Sequence, residues 1–148
     1  MLNDVKIKLL SETATVPTRA TDGSAGYDLR ADIDKPMILR PGEIAAVPTG
    51  VAIALPDKNH VAVVCARSGL AIKHGIGLAN GVGIIDSDYR GELKVGLINL
   101  GASEFVIEPN ERIAQMLIMP VLTPELNVCD DISETERGSG GFGSTGRK

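Results

Sequence analysis

Seventeen glycines and eight prolines are spread through 148 residues, so few uninterrupted windows are long enough for a helix. Between these breaks lie short runs rich in Val and Ile. Val5, Lys6, Ile7, Lys8 and Leu9 alternate at period two, as a strand with one wet face does. Residues 44–47 and 51–55 flank Pro48-Thr49-Gly50, a turn signal. Residues 60–66 are almost continuously apolar and predict a strand buried on both faces, whereas 93–99 alternate loosely. Residues 112–122 start at period two and then become wholly apolar. Short strands recurring at roughly ten-residue intervals predict an all-β sandwich or barrel. One short helix is expected over 68–73, with Ser68 as its N-cap and Gly75 as its stop.

A 15.5 kDa chain fits a single domain, and 43% hydrophobic residues can fill a core. With no Trp, two Tyr and two Phe, that core must be aliphatic, so an aromatic outside it is informative. A net charge of −4 argues against gripping nucleic acid by its backbone, which needs a basic face. It leaves room for one nucleotide, which needs only a few placed cations. Cys65 and Cys129 sit among aliphatic residues and are expected reduced, buried and inert. His60 and His74 lack partners at zinc spacing and are read as ordinary strand and loop residues. Charges interrupt the apolar start MLNDVKIKLL, and no apolar run approaches the ~20 residues of a membrane span. The expectation is a soluble, cytoplasmic protein without membrane or nucleic-acid partners.

Past Val128 the chain reads CDDISETERGSGGFGSTGRK, acidic and then dominated by Gly and Ser. Residues 137–148 have almost nothing to bury, yet they carry Phe142, which hints that the tail closes over something. Gly138, Gly140 and Gly143 match the dinucleotide pattern G-x-G-x-x-G. That pattern needs a preceding strand and a following helix, and neither is available here. What remains is either a solubilising tail or a set of amides, with Arg137, Ser144 and Thr145, able to approach phosphate. The densest polar cluster, Asp86-Ser87-Asp88-Tyr89-Arg90, follows Asn80 and an apolar run; turn chemistry alone could account for its two carboxylates.

In order, the segments AGYDLRA at 25–31, RSGLA at 67–71, GVGIIDSDYRGEL at 81–93, ERIAQMLI at 111–118 and RGSGGFGSTG at 137–146 resemble the five motifs of the homotrimeric dUTPase family. The resemblance implies a jelly-roll-like β-barrel over 1–132, a flexible arm over 133–148, and a trimer whose active sites lie between subunits. It also implies Mg²⁺-dependent hydrolysis of dUTP to dUMP and pyrophosphate, which keeps uracil out of DNA and supplies dUMP for thymidylate synthesis. Asp86 resembles the carboxylate that orients and deprotonates the attacking water. Arg67, Ser68, Gly69 and Gln115 resemble phosphate contacts, with Arg112 as a supporting charge. Asn80, Gly83 and Ile85 resemble the groups around the uracil edge, and Tyr89 the ring that packs on deoxyribose. Phe142 would stack on the base, while Arg137, Gly143, Ser144 and Thr145 hold the outer phosphates. The ion would be held by triphosphate and water, Asp28 reaching it through water only. Two alternatives share this fold: a dCTP deaminase, for which Glu92 is the only nearby acidic candidate but sits where an exposed strand residue is expected, and a non-catalytic nucleotide sensor.

Overall fold

Eleven strands and one helix make up the regular structure of residues 4–142, the part described by this computed structural model. In chain order they are β1 (Lys6–Leu9), β2 (Tyr27–Arg30), β3 (Met37–Leu39), β4 (Ile44–Pro48), β5 (Val51–Ala54), β6 (His60–Cys65), α1 (Ser68–His74), β7 (Ile76–Leu78), β8 (Gly83–Ile85), β9 (Lys94–Asn99), β10 (Phe105–Ile107) and β11 (Arg112–Pro120). All pairings between them are antiparallel, in a four-stranded sheet β2-β11-β6-β8, a three-stranded sheet β4-β9-β7 and two ribbons, β1-β5 and β3-β10. The result is a jelly-roll-like, all-β body.

The core is aliphatic, as the shortage of aromatics requires. Leu29, Leu39, Val47, Leu97, Ile107 and Ile113 are all buried within it. Strand β9 shows the two-residue period clearly: Val95, Leu97 and Asn99 point inward and their neighbours outward. Asn99 is the polar exception, and it is fully satisfied. Its Nδ2 donates to the carbonyls of Leu39 and Ser103, both at 2.8 Å, while its Oδ1 accepts from the Gly101 amide at 2.9 Å.

Several local expectations change in three dimensions. Strand β1 is exposed along its whole length rather than on one face, because its only partner is β5. Strand β6 is not buried on both faces: Ala62 and Val64 are buried while Val61, Val63 and Cys65 are only partly covered. The Pro48-Thr49-Gly50 turn joins no hairpin, since β4 pairs with β9 and β5 with β1. It is a corner between sheets, with Gly50 in the left-handed region at φ 64°. The same holds after β8, which pairs with β6 while β9 joins the other sheet, so Asp86-Ser87-Asp88 is a crossing and not a hairpin tip.

Helix α1 starts at Ser68, but its N-cap residue is Arg67 and no side chain caps it. Gly75 stops it as expected, in a left-handed conformation at φ 71°. Of the cysteines, Cys65 is half-buried and Cys129 exposed, against the expectation that both are buried. His74 ends the helix and its ring packs at 5.1 Å from that of Phe105.

The body ends at Val121, whose amide donates to the Asn59 carbonyl at 2.8 Å. Beyond it Leu122, Leu126 and Val128 are 91%, 94% and 102% exposed, so this apolar stretch finds no cover among the described residues. No helix among the described residues is long and apolar enough to cross a membrane.

Candidate active site

The four-stranded sheet aligns polar side chains in a row across three strands. Gln115 of β11 lies opposite Asp28 of β2 on one side and Cys65 of β6 on the other. Directly opposed residues in antiparallel strands keep their Cβ atoms roughly 4.5–5.5 Å apart. Arg67, two residues past Cys65, falls on the same face because side chains alternate.

Arg112 should not join this face, since an odd spacing separates it from Gln115. A register shift between Arg112 and Ala114 changes that: Arg112 pairs with Arg30, and Ala114 with Leu29. One extra residue in a strand reverses the alternation beyond it, so the bulge turns Arg112 to the side of Asp28 and Gln115. Both arginines then converge on one carboxylate. Arg67 Nε lies 3.3 Å from Asp28 Oδ1, and Arg112 Nη1 donates to Asp28 Oδ2 at 3.1 Å. Arg67 Nη1 also donates to the Arg112 carbonyl at 3.1 Å. Gln115 Nε2 donates to the Ala66 carbonyl at 3.1 Å, which fixes its amide beside the start of α1.

These residues wall a cleft of about 570 Å³, lined also by Gly26, Ser68 and Gly69. Ala71 is the first residue of α1 whose amide bonds back within the helix, to the Arg67 carbonyl, so the preceding amides are left for other partners. With two guanidiniums and one carboxylate, the cleft is shaped and charged for an anion. Gly26 is part of its construction. A Cβ there would lie 2.7 Å from Gln115 Oε1 and 3.1 Å from Gln115 Cβ, so only glycine lets Gln115 lie across this backbone.

A second group of expected residues sits elsewhere on the same chain. Asp86, exposed, follows the end of β8, and its carbonyl accepts from the Tyr89 amide at 3.1 Å to close a turn. Arg90 Nη1 donates to the carbonyls of Ser87 and Tyr89, both at 2.8 Å. A shallow pocket of about 230 Å³ is lined by Ile84, Ile85, Asp86, Tyr89, Glu92, Leu93 and Lys94. Asn80 is exposed in the turn before Gly83, which starts β8.

The two groups do not meet within one chain. Ile85 lies opposite Ala62, and from there the chain runs five residues further, through the end of β6 at Cys65, to Arg67, at most about 17 Å at roughly 3.3 Å per residue. Because the strands are antiparallel, Asp86 continues away from Arg67.

For two further residues the structure adds partners that the sequence does not show. Glu92 is half-buried rather than exposed and lies outside any strand; its Oε1 accepts from the Gly50 amide at 3.0 Å. That engagement leaves it poorly placed as a deaminase acid. Asp28 is held by both arginines, so its carboxylate is not an open ligand. In the arm, Arg137 Nε donates to the Gly140 carbonyl at 2.9 Å, and Phe142 is completely exposed. Gly143, Ser144 and Thr145 lie outside the described residues.

Fold and cleft together define a class, a jelly-roll-like β protein with a cleft that gathers two guanidiniums and a separate acidic turn. Comparison with known proteins narrows it. The dUTPase family model matches residues 12–146. The deoxyuridine 5'-triphosphate nucleotidohydrolase of Burkholderia multivorans is 54% identical over 144 residues, covering 97% of each chain. That of Ralstonia pickettii is 52% identical with the same coverage. Among solved structures, the Staphylococcus bacteriophage 80alpha dUTPase with dUpNHpp superposes with a TM-score of 0.89 at 31% identity, over 98% of this chain and 99% of that one. A mutant dUTPase from phage phi11 of S. aureus, described with a structural Mg(II) ion, gives a TM-score of 0.80 at 26% identity, over 89% and 100%. The chain belongs to the dUTPase family.

Proposed function

We propose that this chain hydrolyses dUTP to dUMP and pyrophosphate, in a homotrimer whose active sites form between subunits. The observation that carries the reading is the cleft in which Arg67, Arg112 and Gln115 converge beside the start of α1. Two guanidiniums and a fixed amide suit a triphosphate, for which bidentate and charge-assisted hydrogen bonds are the strongest contacts.

Asp86 orients a water and takes its proton as the water's oxygen attacks the α-phosphorus. The bond from that phosphorus to the bridging oxygen breaks, and pyrophosphate leaves with the bonding electrons. General-base help of this kind contributes about 10²–10⁴-fold, and the remainder comes from holding the phosphate chain and neutralising its charge. Asn80, Gly83 and Ile85 select the uracil edge, and Tyr89 packs on the deoxyribose. Ser68 and Gly69 contact phosphate from the start of α1. Arg137, Gly143, Ser144 and Thr145 hold the outer phosphates when the arm of residues 133–148 closes, with Phe142 over the base.

The donor set of the cleft fits Mg²⁺ arriving on the substrate. Among the described residues Asp28 is the only acidic side chain lining it, and Mg²⁺ keeps several waters while taking one or two carboxylates and substrate phosphates. Bound there, the ion would neutralise charge on the triphosphate. Held between two arginines, Asp28 would meet the ion's water shell.

Assembly of several copies, as in a trimer, is supported by two features: the separation of Asp86 from Arg67 across the β6–β8 pair, and the apolar stretch after Val121 that is uncovered among the described residues. The reading is tested by measuring pyrophosphate release with dUTP, UTP, dCTP and dTTP side by side. Selective release from dUTP is expected. Equal release from all four would refute it, and ammonia release from dCTP would favour a deaminase.

A further inference from the structure

Tyr89 is placed by its neighbours more firmly than its exposure suggests. Its hydroxyl donates to the Glu92 carbonyl at 2.9 Å. Its ring lies so closely over Gly91 that a Cβ there would stand 2.6 Å from Tyr89 Cζ. Glu92 is in turn pinned from the neighbouring corner: its carboxylate accepts the Gly50 amide at 3.0 Å. The next residue is held by the same corner, since Thr49 Oγ1 donates to the Leu93 carbonyl at 2.6 Å and the Leu93 amide donates to Val51 at 2.7 Å. Thr49 is buried, so this anchor is shielded from water.

We infer that Glu92 is a positioning residue for sugar selection: by fixing the backbone that receives the Tyr89 hydroxyl, it holds the Tyr89 ring where a 2′-hydroxyl would collide. The inference rests on the proposed packing of Tyr89 against deoxyribose. Two details set the Glu92 contact apart from general scaffolding. It is charge-assisted, and it ends on the amide of Gly50, whose left-handed backbone fixes the direction of that N–H. A ring that lies over Gly91 and is tethered by its hydroxyl can swing when the carbonyl receiving that hydroxyl shifts.

The experiment is the ratio of kcat/KM for dUTP over UTP, measured on the full-length enzyme. Glu92→Ala is expected to lower the ratio about tenfold, the order of one hydrogen bond to a charged group. Glu92→Gln, which keeps the acceptor, should restore most of it. A merely structural defect would reduce the active fraction for both substrates alike and leave the ratio unmoved. Tyr89→Phe keeps the ring but loses its tether, and should also lower the ratio; it decides the matter if Glu92→Ala fails to fold. Tyr89→Ala serves as reference. If Tyr89→Ala lowers the ratio while Glu92→Ala and Tyr89→Phe leave it unchanged, the role given to Glu92 is overturned and that of Tyr89 stands. If Tyr89→Ala leaves it unchanged, the sugar-packing reading fails and the inference fails with it.

Discussion

Replacing Gly26 by Ala tests whether the cleft is built by close approach of Gln115 to a bare backbone. The new methyl would lie 2.7 Å from Gln115 Oε1, 3.1 Å from its Cβ and 3.4 Å from its Cδ. The first contact is with the far end of a side chain that can swing away. Swinging away breaks the Gln115 bond to the Ala66 carbonyl at 3.1 Å and removes the amide from the phosphate path. Gly26 is outside the left-handed region, so alanine brings no backbone strain, and the loss should register in function rather than folding. A hydrogen bond to a charged group contributes about 1.5–3 kcal/mol. At 1.4 kcal/mol per factor of ten, kcat/KM for dUTP should fall by roughly ten- to 150-fold.

The assay is steady-state pyrophosphate release by wild type, Gly26→Ala, Gln115→Ala and the double variant. If Gly26 acts through Gln115, the double variant is little worse than Gln115→Ala alone, because the clashing amide is already gone. Independent losses that multiply in the double variant would show that Gly26 does not act through Gln115, as would full activity of Gly26→Ala.

Asp86→Asn should lower kcat by about 10²–10⁴-fold and leave thermal stability unchanged, since the side chain is exposed; intact turnover would remove Asp86 from the base role. Deleting residues 137–148 should cripple turnover while sedimentation still reports the proposed trimer; a monomer would mean that the arm is mainly an assembly element. Asn99→Ala leaves the Leu39 and Ser103 carbonyls and the Gly101 amide without their partner, at a cost of about 3 kcal/mol read from denaturant unfolding. Asp57 has its carboxyl held below the ordinary value, first by the Asn59 amide and then by the His60 ring. A lowered folded-state pKa stabilises above the unfolded value and is lost as pH falls through the folded one. Asp57→Asn should therefore flatten the stability profile on the acid side of the usual carboxylate range and not near neutrality.

Strand content was legible because its signals are local. Val95 and Leu97 alternate with outward neighbours, and Gly75 ends α1 where its backbone turns left-handed. Partner choice was not. Nothing in residues 44–55 says that the Pro48-Thr49-Gly50 corner sends its two strands to different sheets. The partial burial of β6 is not legible, because an apolar run looks alike whether its second face is covered by the same chain or left open. In the cleft, Arg67 and Gln115 were legible from motif order, but the route by which Arg112 joins them was not. Its position depends on the bulge before Ala114, a feature of pairing and not of composition. Likewise Glu92 reads as a surface acid until the Gly50 amide is seen to reach it.

Strand direction explains why the two parts of the site lie apart. Arg67 leaves the end of β6, and the antiparallel neighbour β8 begins near that end and carries its chain the other way. Every residue added to β8 therefore moves the acidic turn further from the arginines. No side chain is long enough to close about 17 Å, which supports the proposal that two copies share the site. A second copy could bring its own Asp86 turn to the Arg67 cleft without altering either strand. The exposed Leu122, Leu126 and Val128 suit the same arrangement, since they too lack a covering surface among the described residues. Dilution below the assembly threshold should thus abolish turnover while leaving each β body folded, and catalysis that persists in monomers would refute the shared site.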